Sequence, residues 1–269
     1  MGSKLLLVGC GKMGQALLGG WLAAGSVQRC LVIEPQPVEL PARHAAGAPV
    51  ELLADAGAIP ADFVPDALVL AVKPQVMADV LPAYRRFAGQ ALFLSIAAGK
   101  TIASFEAVLG DAAIVRAMPN TPAAVGRGIT VACANGKVDA AGRALAESLL
   151  AAVGEVGWVG QEGLMDAVTA VSGSGPAYVF LLAEVLAAAG IKAGLPADLA
   201  ERLARVTVAG SGELLHRSAE SAEQLRRNVT SPNGTTAAAL AVLMAEPGLQ
   251  ALLEKAVAAA TNRSRELAG

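Results

Sequence analysis

At 269 residues the chain is long enough for one large domain or two modest ones, and with 54% hydrophobic residues a membrane span is the first possibility to weigh. The most apolar segment, Ala177 to Ile191, is interrupted by Glu184 and falls short of the roughly 20 residues that cross a bilayer, and the amino terminus lacks the pattern of a secretory signal. A formal net charge of -2 with 3% aromatic residues supplies neither a basic surface for phosphate backbones nor rings for bases to stack on, so nucleic acid is not an expected partner.

Cys10, Cys30 and Cys133 are widely spaced and belong to no CxxC or Cys/His pattern, which argues for a reducing, cytoplasmic setting and no metal site. As far as about Val159, short apolar runs alternate with helical pattern. KLLLVG, RCLVIE, ALVLAV, ALFLSIA, AIVRAM and GITVACA are continuously apolar, as strands covered on both faces are. Between the first two, Met13, Leu17, Leu18, Trp21 and Leu22 fall on one helical stripe, and Gly25 is placed to end it. This is the pattern of an α/β domain, a doubly wound, Rossmann-type parallel sheet over residues 1–159.

From about Gly160 the strand signals stop, with the glycines at 154, 157, 160 and 163 marking the change. Six helical stretches remain, over 164–171, 177–189, 197–216, 222–227, 235–245 and 249–267, so residues 160–269 read as an all-α domain. The second stretch is apolar nearly all round apart from Glu184. A helical domain of about a hundred residues has few fully interior positions, so a second copy of the chain is expected to cover it.

LLLVGCGKMG sets Gly9, Gly11 and Gly14 directly after the first strand and at the start of the first helix. The spacing gives a tight turn at Gly9, room for a pyrophosphate at Gly11 and close helix-to-strand packing at Gly14. The anion would rest on the helix amino terminus among Cys10, Lys12 and Met13. Glu34 ends the second strand, where this fold sets a carboxylate against the ribose 2′-hydroxyl of NAD. A 2′-phosphate there meets a like charge, which favours NADH over NADPH unless Glu34 points to solvent and the following loop decides.

Three further strand ends carry unusual punctuation: AVKPQ with Ala71, Val72, Lys73 and Pro74, SIAAG with Ala97 and Ala98, and MPNTPA with Pro119 and Asn120. Each alone reads as an ordinary strand-to-helix turn. Together they lie where ligands of open parallel sheets bind, outside the carboxyl ends of the strands. Small Ala97, Ala98 and Gly99 let a nicotinamide ring approach the backbone, and Asn120 can donate and accept for its amide group.

In the helical part, SGSGPAY from Ser172 is placed to open a helix, with Pro176 in the first turn. VTSPNGTTAAAL, from Val229 to Leu240, has two readings. Ser231 or Thr235 caps the Ala-rich helix, or the unpaired amides of its first turn hold a carboxylate without any arginine.

VGCGKMG, LAVKPQ, SIAAG, RAMPNTPA, SGSGPAY and VTSPNGTTAAAL together resemble the pyrroline-5-carboxylate reductases over essentially the whole chain, and the last looks like that family's carboxyl-terminal signature. The resemblance implies reduction of L-1-pyrroline-5-carboxylate to L-proline with NADPH or NADH, by a homodimer intertwined through the helical domain and sometimes assembled into larger rings. It implies that Thr230 to Thr236 hold the substrate, with Ser231 and Asn233 in the loop and backbone amides near Gly234 and Thr235 on the carboxylate. The Thr236 hydroxyl would face the ring nitrogen, and Ser174 and Gly175 join the substrate-binding candidates. Two positions depart from the family pattern: Asn233, usually Gly, and Met244, usually acidic or an amide. Asn tolerates left-handed backbone angles, so the turn survives. Met244 is expected to affect packing more than chemistry.

Reducing a cyclic imine needs a hydride on carbon and a proton on nitrogen. If the imine binds already protonated, positioning is most of the task. That suits a chain whose only histidines, His44 and His216, sit in no motif. A β-hydroxyacid dehydrogenase would carry a catalytic lysine and an asparagine where Val179 and Ala183 stand. A non-catalytic dinucleotide sensor would have no use for a second anion-binding loop.

Overall fold

The computed structural model describes residues 2–40 and 50–268; His44 lies outside them. Eight strands form one sheet in the order β3-β2-β1-β4-β5-β6-β7-β8. They are β1 (Ser3–Val8), β2 (Val27–Ile33), β3 (Val50–Leu53), β4 (Ala67–Leu70), β5 (Leu92–Ser95), β6 (Ala113–Met118), β7 (Gly128–Ala134) and β8 (Gly154–Trp158).

Continuous apolar runs form central strands because alternate side chains leave on opposite faces and both faces are covered. In β1, Leu5 and Leu7 enter one core cluster while Leu6 and Val8 enter the other. The first face is covered by α1 (Lys12–Ala23), whose Leu17, Leu18, Trp21 and Leu22 are buried as the stripe requires; a later helix joins it through Ala146, Leu149 and Leu150. The Trp21 indole N–H donates to the Leu149 carbonyl at 2.7 Å, which satisfies the one polar atom of a fully buried ring. The second face is covered by the turn α2 (Met77–Val80), the 3-10 segment Leu81–Phe87 and α3 (Ile102–Leu109), which contribute Met77, Tyr84, Phe87, Phe105 and Leu109. The later helix on the first face is α4 (Ala140–Ala151), capped by the Asp139 carboxylate, which accepts from the Gly142 amide at 2.7 Å.

The sheet is mostly parallel rather than wholly so, since β6 and β7 pair antiparallel. MPNTPA makes only a short 3-10 turn, Thr121–Val125, between them, too little for the crossover that a parallel neighbour requires. Two edge strands escaped the sequence pattern. β3 is four half-exposed residues, and β8, GEVGW, carries two of the glycines that read as a change of texture. Edge strands lack the apolar run that covering both faces imposes.

The remaining helices are α5 (Met165–Val168), α6 (Gly175–Lys192), α7 (Ala197–Arg217), α8 (Ala222–Asn228), α9 (Thr235–Leu243) and α10 (Leu249–Ala268). The chain divides into two compact units, residues 1–173 with 261–269, and residues 174–260. Within the second unit α6 and α7 form the main packed pair, yet its buried side chains, among the described residues, are only Ala187, Ala200 and Ala204. Phe180, Leu181, Leu182 and Val185 of α6 stand at least half exposed.

SGSGPAY opens α6 as expected, with Ser174 as N-cap and Pro176 in the first turn, but α6 does not start from an irregular loop. A 3-10 turn at Glu162–Leu164, α5, a π-turn at Thr169–Gly173 and α6 follow one another, making a helical stretch of 31 residues from Glu162 to Lys192. Among the described residues this one stretch is long and apolar enough to cross a membrane, unlike the shorter segment Ala177 to Ile191 taken by itself.

Candidate active site

The strand order reverses between β1 and β4, which makes their carboxyl ends the switch point of the sheet. The glycine-rich turn sits there, and each glycine has its own reason. Gly9 has φ +91°, and a Cβ on it would lie 2.9 Å from the Ala71 backbone and from Val72 Cγ1, so AVKP packs directly against the turn. A Cβ on Gly14 would come 2.5 Å from the Gly9 carbonyl oxygen, which is the close helix-to-strand approach. A Cβ on Gly11 would meet nothing within 4 Å, so this face is open to a ligand. Helix α1 begins at Lys12 with Gly11 as an N-cap that offers no side chain. Among the described residues the amides of Lys12, Met13 and Gly14 have no acceptor; the first amide bonded within the helix is that of Gln15, to the Gly11 carbonyl at 2.8 Å. Three free N–H groups at a helix amino terminus, on an open face, fit a pyrophosphate.

Glu34 is neither in solvent nor simply beside the turn. Its Oε2 accepts from the Cys10 amide at 2.9 Å and its Oε1 from the Gln36 amide at 3.1 Å, so the carboxylate is held onto the glycine-rich turn by two backbone donors. Cys10 lies beneath it, and burial first, with the Glu34 charge second, pushes its thiol above the ordinary value. A thiol held protonated there is a packing residue rather than a nucleophile.

The other strand ends fall as follows. Ala71 donates to the Val8 carbonyl at 2.8 Å, Lys73 is exposed, and Pro74 starts a 3-10 turn. Ala97 is buried, Ala98 exposed, and Gly99 takes φ +70° beside the Leu267 backbone. Pro119 is buried. Asn120 is held by two protein partners: its Oδ1 accepts from the Ile129 amide at 3.0 Å and its Nδ2 donates to Ser172 Oγ at 3.3 Å.

A second helix amino terminus of the same kind lies in the second unit. Asn233 adopts φ 59°, the left-handed conformation that its loop position requires and that Asn bears at low cost, and Gly234 is the N-cap of α9. Neither Ser231 nor Thr235 caps the helix, since no side chain bonds there. The Gly234 amide is already used, donating to the Ser231 carbonyl at 3.1 Å. The unbonded donors therefore begin one residue after Gly234, with the amides of Thr235, Thr236 and Ala237, none of which has an acceptor among the described residues. Thr236 is half-buried, and its hydroxyl makes no hydrogen bond among the described residues. The Ser174 side chain is likewise unbonded at the start of α6, where Gly175 is half-buried.

Residues 162–267 match the family described as pyrroline-5-carboxylate reductase dimerisation, and residues 4–99 match the family described as NADP oxidoreductase, coenzyme F420-dependent. A curated pyrroline-5-carboxylate reductase of Pseudomonas aeruginosa is 41% identical over 267 residues, covering 98% of this chain and 97% of its own. The chain belongs to the pyrroline-5-carboxylate reductase family. Two solved structures agree. A pyrroline-5-carboxylate reductase from Coxiella burnetii superposes with a TM-score of 0.89 at 36% identity over 100% of both chains. The Plasmodium falciparum pyrroline carboxylate reductase with NADP bound gives 0.81 at 30% identity over 99% of this chain and 98% of its own.

Within that family frame, three features went unread in the sequence. Arg116 on β6 is buried and pairs with Glu162 at 2.8 Å; the same Glu162 oxygen accepts from the Ile102 amide at 2.8 Å, so one carboxylate ties β6, α3 and the start of the long helical stretch. Ser264 Oγ, also buried, donates to Asp166 at 2.6 Å. At the family-atypical Met244, Sδ lies 3.1 Å from the Arg226 guanidinium, on a groove of about 800 Å³ that Leu240, Leu249 and Leu253 also line. Partners this far apart in sequence leave no local signal. The groove begins beyond the first turn of α9, so it belongs to the uncovered apolar surface rather than to either set of free amides.

Proposed function

We propose that the chain is an NAD(P)H-dependent oxidoreductase that reduces L-1-pyrroline-5-carboxylate to L-proline, the last step of proline biosynthesis. The observation that carries this reading is the pair of helix amino termini, α1 and α9, each with three unbonded amides and no side-chain cap. One suits a dinucleotide pyrophosphate and the other a carboxylate, and a reductase of an amino-acid imine needs both.

The reduced nicotinamide supplies the hydride. The residues of the chain do the rest. The amides of Lys12 to Gly14 hold the pyrophosphate, and the small backbone at Ala97 to Gly99 admits the ring. The amides of Thr235 to Ala237 hold the substrate carboxylate, with Ser231, Ser174 and Gly175 beside it. Binding the imine already protonated makes its carbon the electrophile and leaves the nitrogen with its proton after hydride arrives, so the product amine forms without a separate acid. Thr236, whose hydroxyl is free, is the hydrogen-bond partner of that nitrogen. Orientation of this kind contributes several kcal/mol, on the order of 7–11 in the best cases.

The residue-level site assignments, a substrate-binding and dimerisation role for residues 160–269, a cytoplasmic location and a possible ring of dimers complete the proposal. The 31-residue helical stretch is read as an interface rather than a span, because its first turns are tied by Glu162 and Asp166 to Arg116 and Ser264.

Purified protein mixed with pyrroline-5-carboxylate and NADH or NADPH is expected to consume the reduced cofactor, followed by its absorbance. Binding without consumption would instead make the chain a dinucleotide sensor. Thr236→Ala is expected to lower kcat, and an unchanged rate and pH profile would remove Thr236 from the mechanism.

A further inference from the structure

We infer that Ser172 and Asn120 form a positioning pair for hydride transfer, a latch that holds the loop after β6 in the place from which it serves the nicotinamide ring; this rests on the reading of the chain as a pyrroline-5-carboxylate reductase. The loop leaves the carboxyl end of β6, where the fold receives its ligand. Asn120 is committed at both ends of its amide, with Oδ1 on the Ile129 N–H at the start of β7 and Nδ2 on Ser172 Oγ. These two bonds fix the orientation of the side chain and leave one lone pair of Oδ1 and one hydrogen of Nδ2 unused.

The other half of the latch is anchored. Ser172 rides on the π-turn Thr169–Gly173, where Ala170 is fully buried. Just before it, α5 is fixed by the fully buried Met165 and by the bond from Ser264 to Asp166. Next to Ser172, Gly173 turns its side-chain-free face to Met118; a Cβ there would lie 2.5 Å from Met118 Cε. Two independent contacts, Asn120 with Ser172 and Met118 with Gly173, therefore clamp the last strand residue and the loop against the same π-turn. Single π-turns inside α-helices recur at functional sites, and here the turn carries the hydroxyl that the loop uses. The sequence distance of 52 residues between Asn120 and Ser172 explains why each motif alone suggests a ligand contact instead.

The test uses the whole protein with pyrroline-5-carboxylate and a reduced cofactor carrying deuterium at the transferred position. Ser172→Ala is expected to lower kcat about tenfold, in line with the sensitivity of rate to small misplacements. The deuterium isotope effect should rise as hydride transfer becomes limiting, while cofactor Kd, read by fluorescence, and thermal midpoint stay at their wild-type values. Ser172→Thr, which keeps the hydroxyl, should restore kcat. Asn120→Ala should do less harm in the Ser172→Ala background than in the wild type, because the shared bond is already gone and only the bond to the Ile129 amide is left to lose. The proposal is overturned if Ser172→Ala keeps the wild-type kcat and isotope effect. It is equally overturned if Asn120→Ala weakens cofactor binding while Ser172→Ala is silent, which would make Asn120 a direct ligand. A wild-type protein that consumes no cofactor would be a different failure, that of the reductase reading itself, and would be seen before any variant is made.

Discussion

The two compact units bury their apolar residues in opposite ways. In residues 1–173, leucines, valines and aromatic rings fill both sides of a sheet; in residues 174–260 only three alanines are buried among the described residues, while Phe180, Val206, Val242 and Met244 are more than half exposed. A sheet with helices on both faces completes its own core. A few helices of about this size do not, and a large exposed apolar face marks an interface. The first unit thus completes its own core within one chain, and the second leaves an apolar face of the kind expected in the dimerisation family that residues 162–267 match.

Substitutions can separate the two cases. The largest effect is expected from Phe180→Glu on the exposed face of α6. Sedimentation should show monomers, and turnover should be lost while reduced cofactor still binds; a dimer that survives the charge would refute the contrast. Gly14→Ala should do the reverse. Its methyl group meets the Gly9 carbonyl, and overpacking of about 1–3 kcal/mol corresponds to roughly a ten- to hundredfold loss of cofactor affinity with the dimer intact.

Glu34→Ala should act more mildly, within the first unit alone. Removing a partly screened charge from the end of β2, where the proposed cofactor site sets the ribose, should shift the NADPH-to-NADH ratio of kcat/KM towards NADPH, by roughly three- to tenfold. An unchanged ratio would leave cofactor choice to the loop that follows β2. The smallest effect concerns pH. Burial pushes the Cys30 thiol from 9.0 up to about 12. Its folded value is above its unfolded one, so the folded state keeps a proton that the unfolded state gives up. The resulting stability is complete below about 9 and drains away as pH rises towards about 12. Denaturation midpoints across that range should fall less steeply for Cys30→Ala than for the wild type.

How much of this could be read in advance varied with burial. Strands covered on both faces, such as β1 and β4, announced themselves as apolar runs; β3 and β8, at the edges, did not. The glycine-rich turn was legible because each glycine answers a local steric demand. The SPNGTT segment was legible as a turn opening a helix, while the Gly234 amide folds back on Ser231 and the free donors start at Thr235. The protein partners of Asn120 were not legible, because Ile129 and Ser172 are brought to it by the sheet and by the long helical stretch.

Periodicity, the glycine spacing and the SPNGTT loop are properties of neighbouring residues, so sequence alone determined the α/β-then-α order, the two turns that open α1 and α9, and the family. Which way β7 runs, that Glu34 closes onto the turn, that Arg116 meets Glu162 and that the long helical stretch continues through SGSGP were decided only by tertiary structure. These depend on interactions between residues tens of positions apart, whose energies no local pattern encodes.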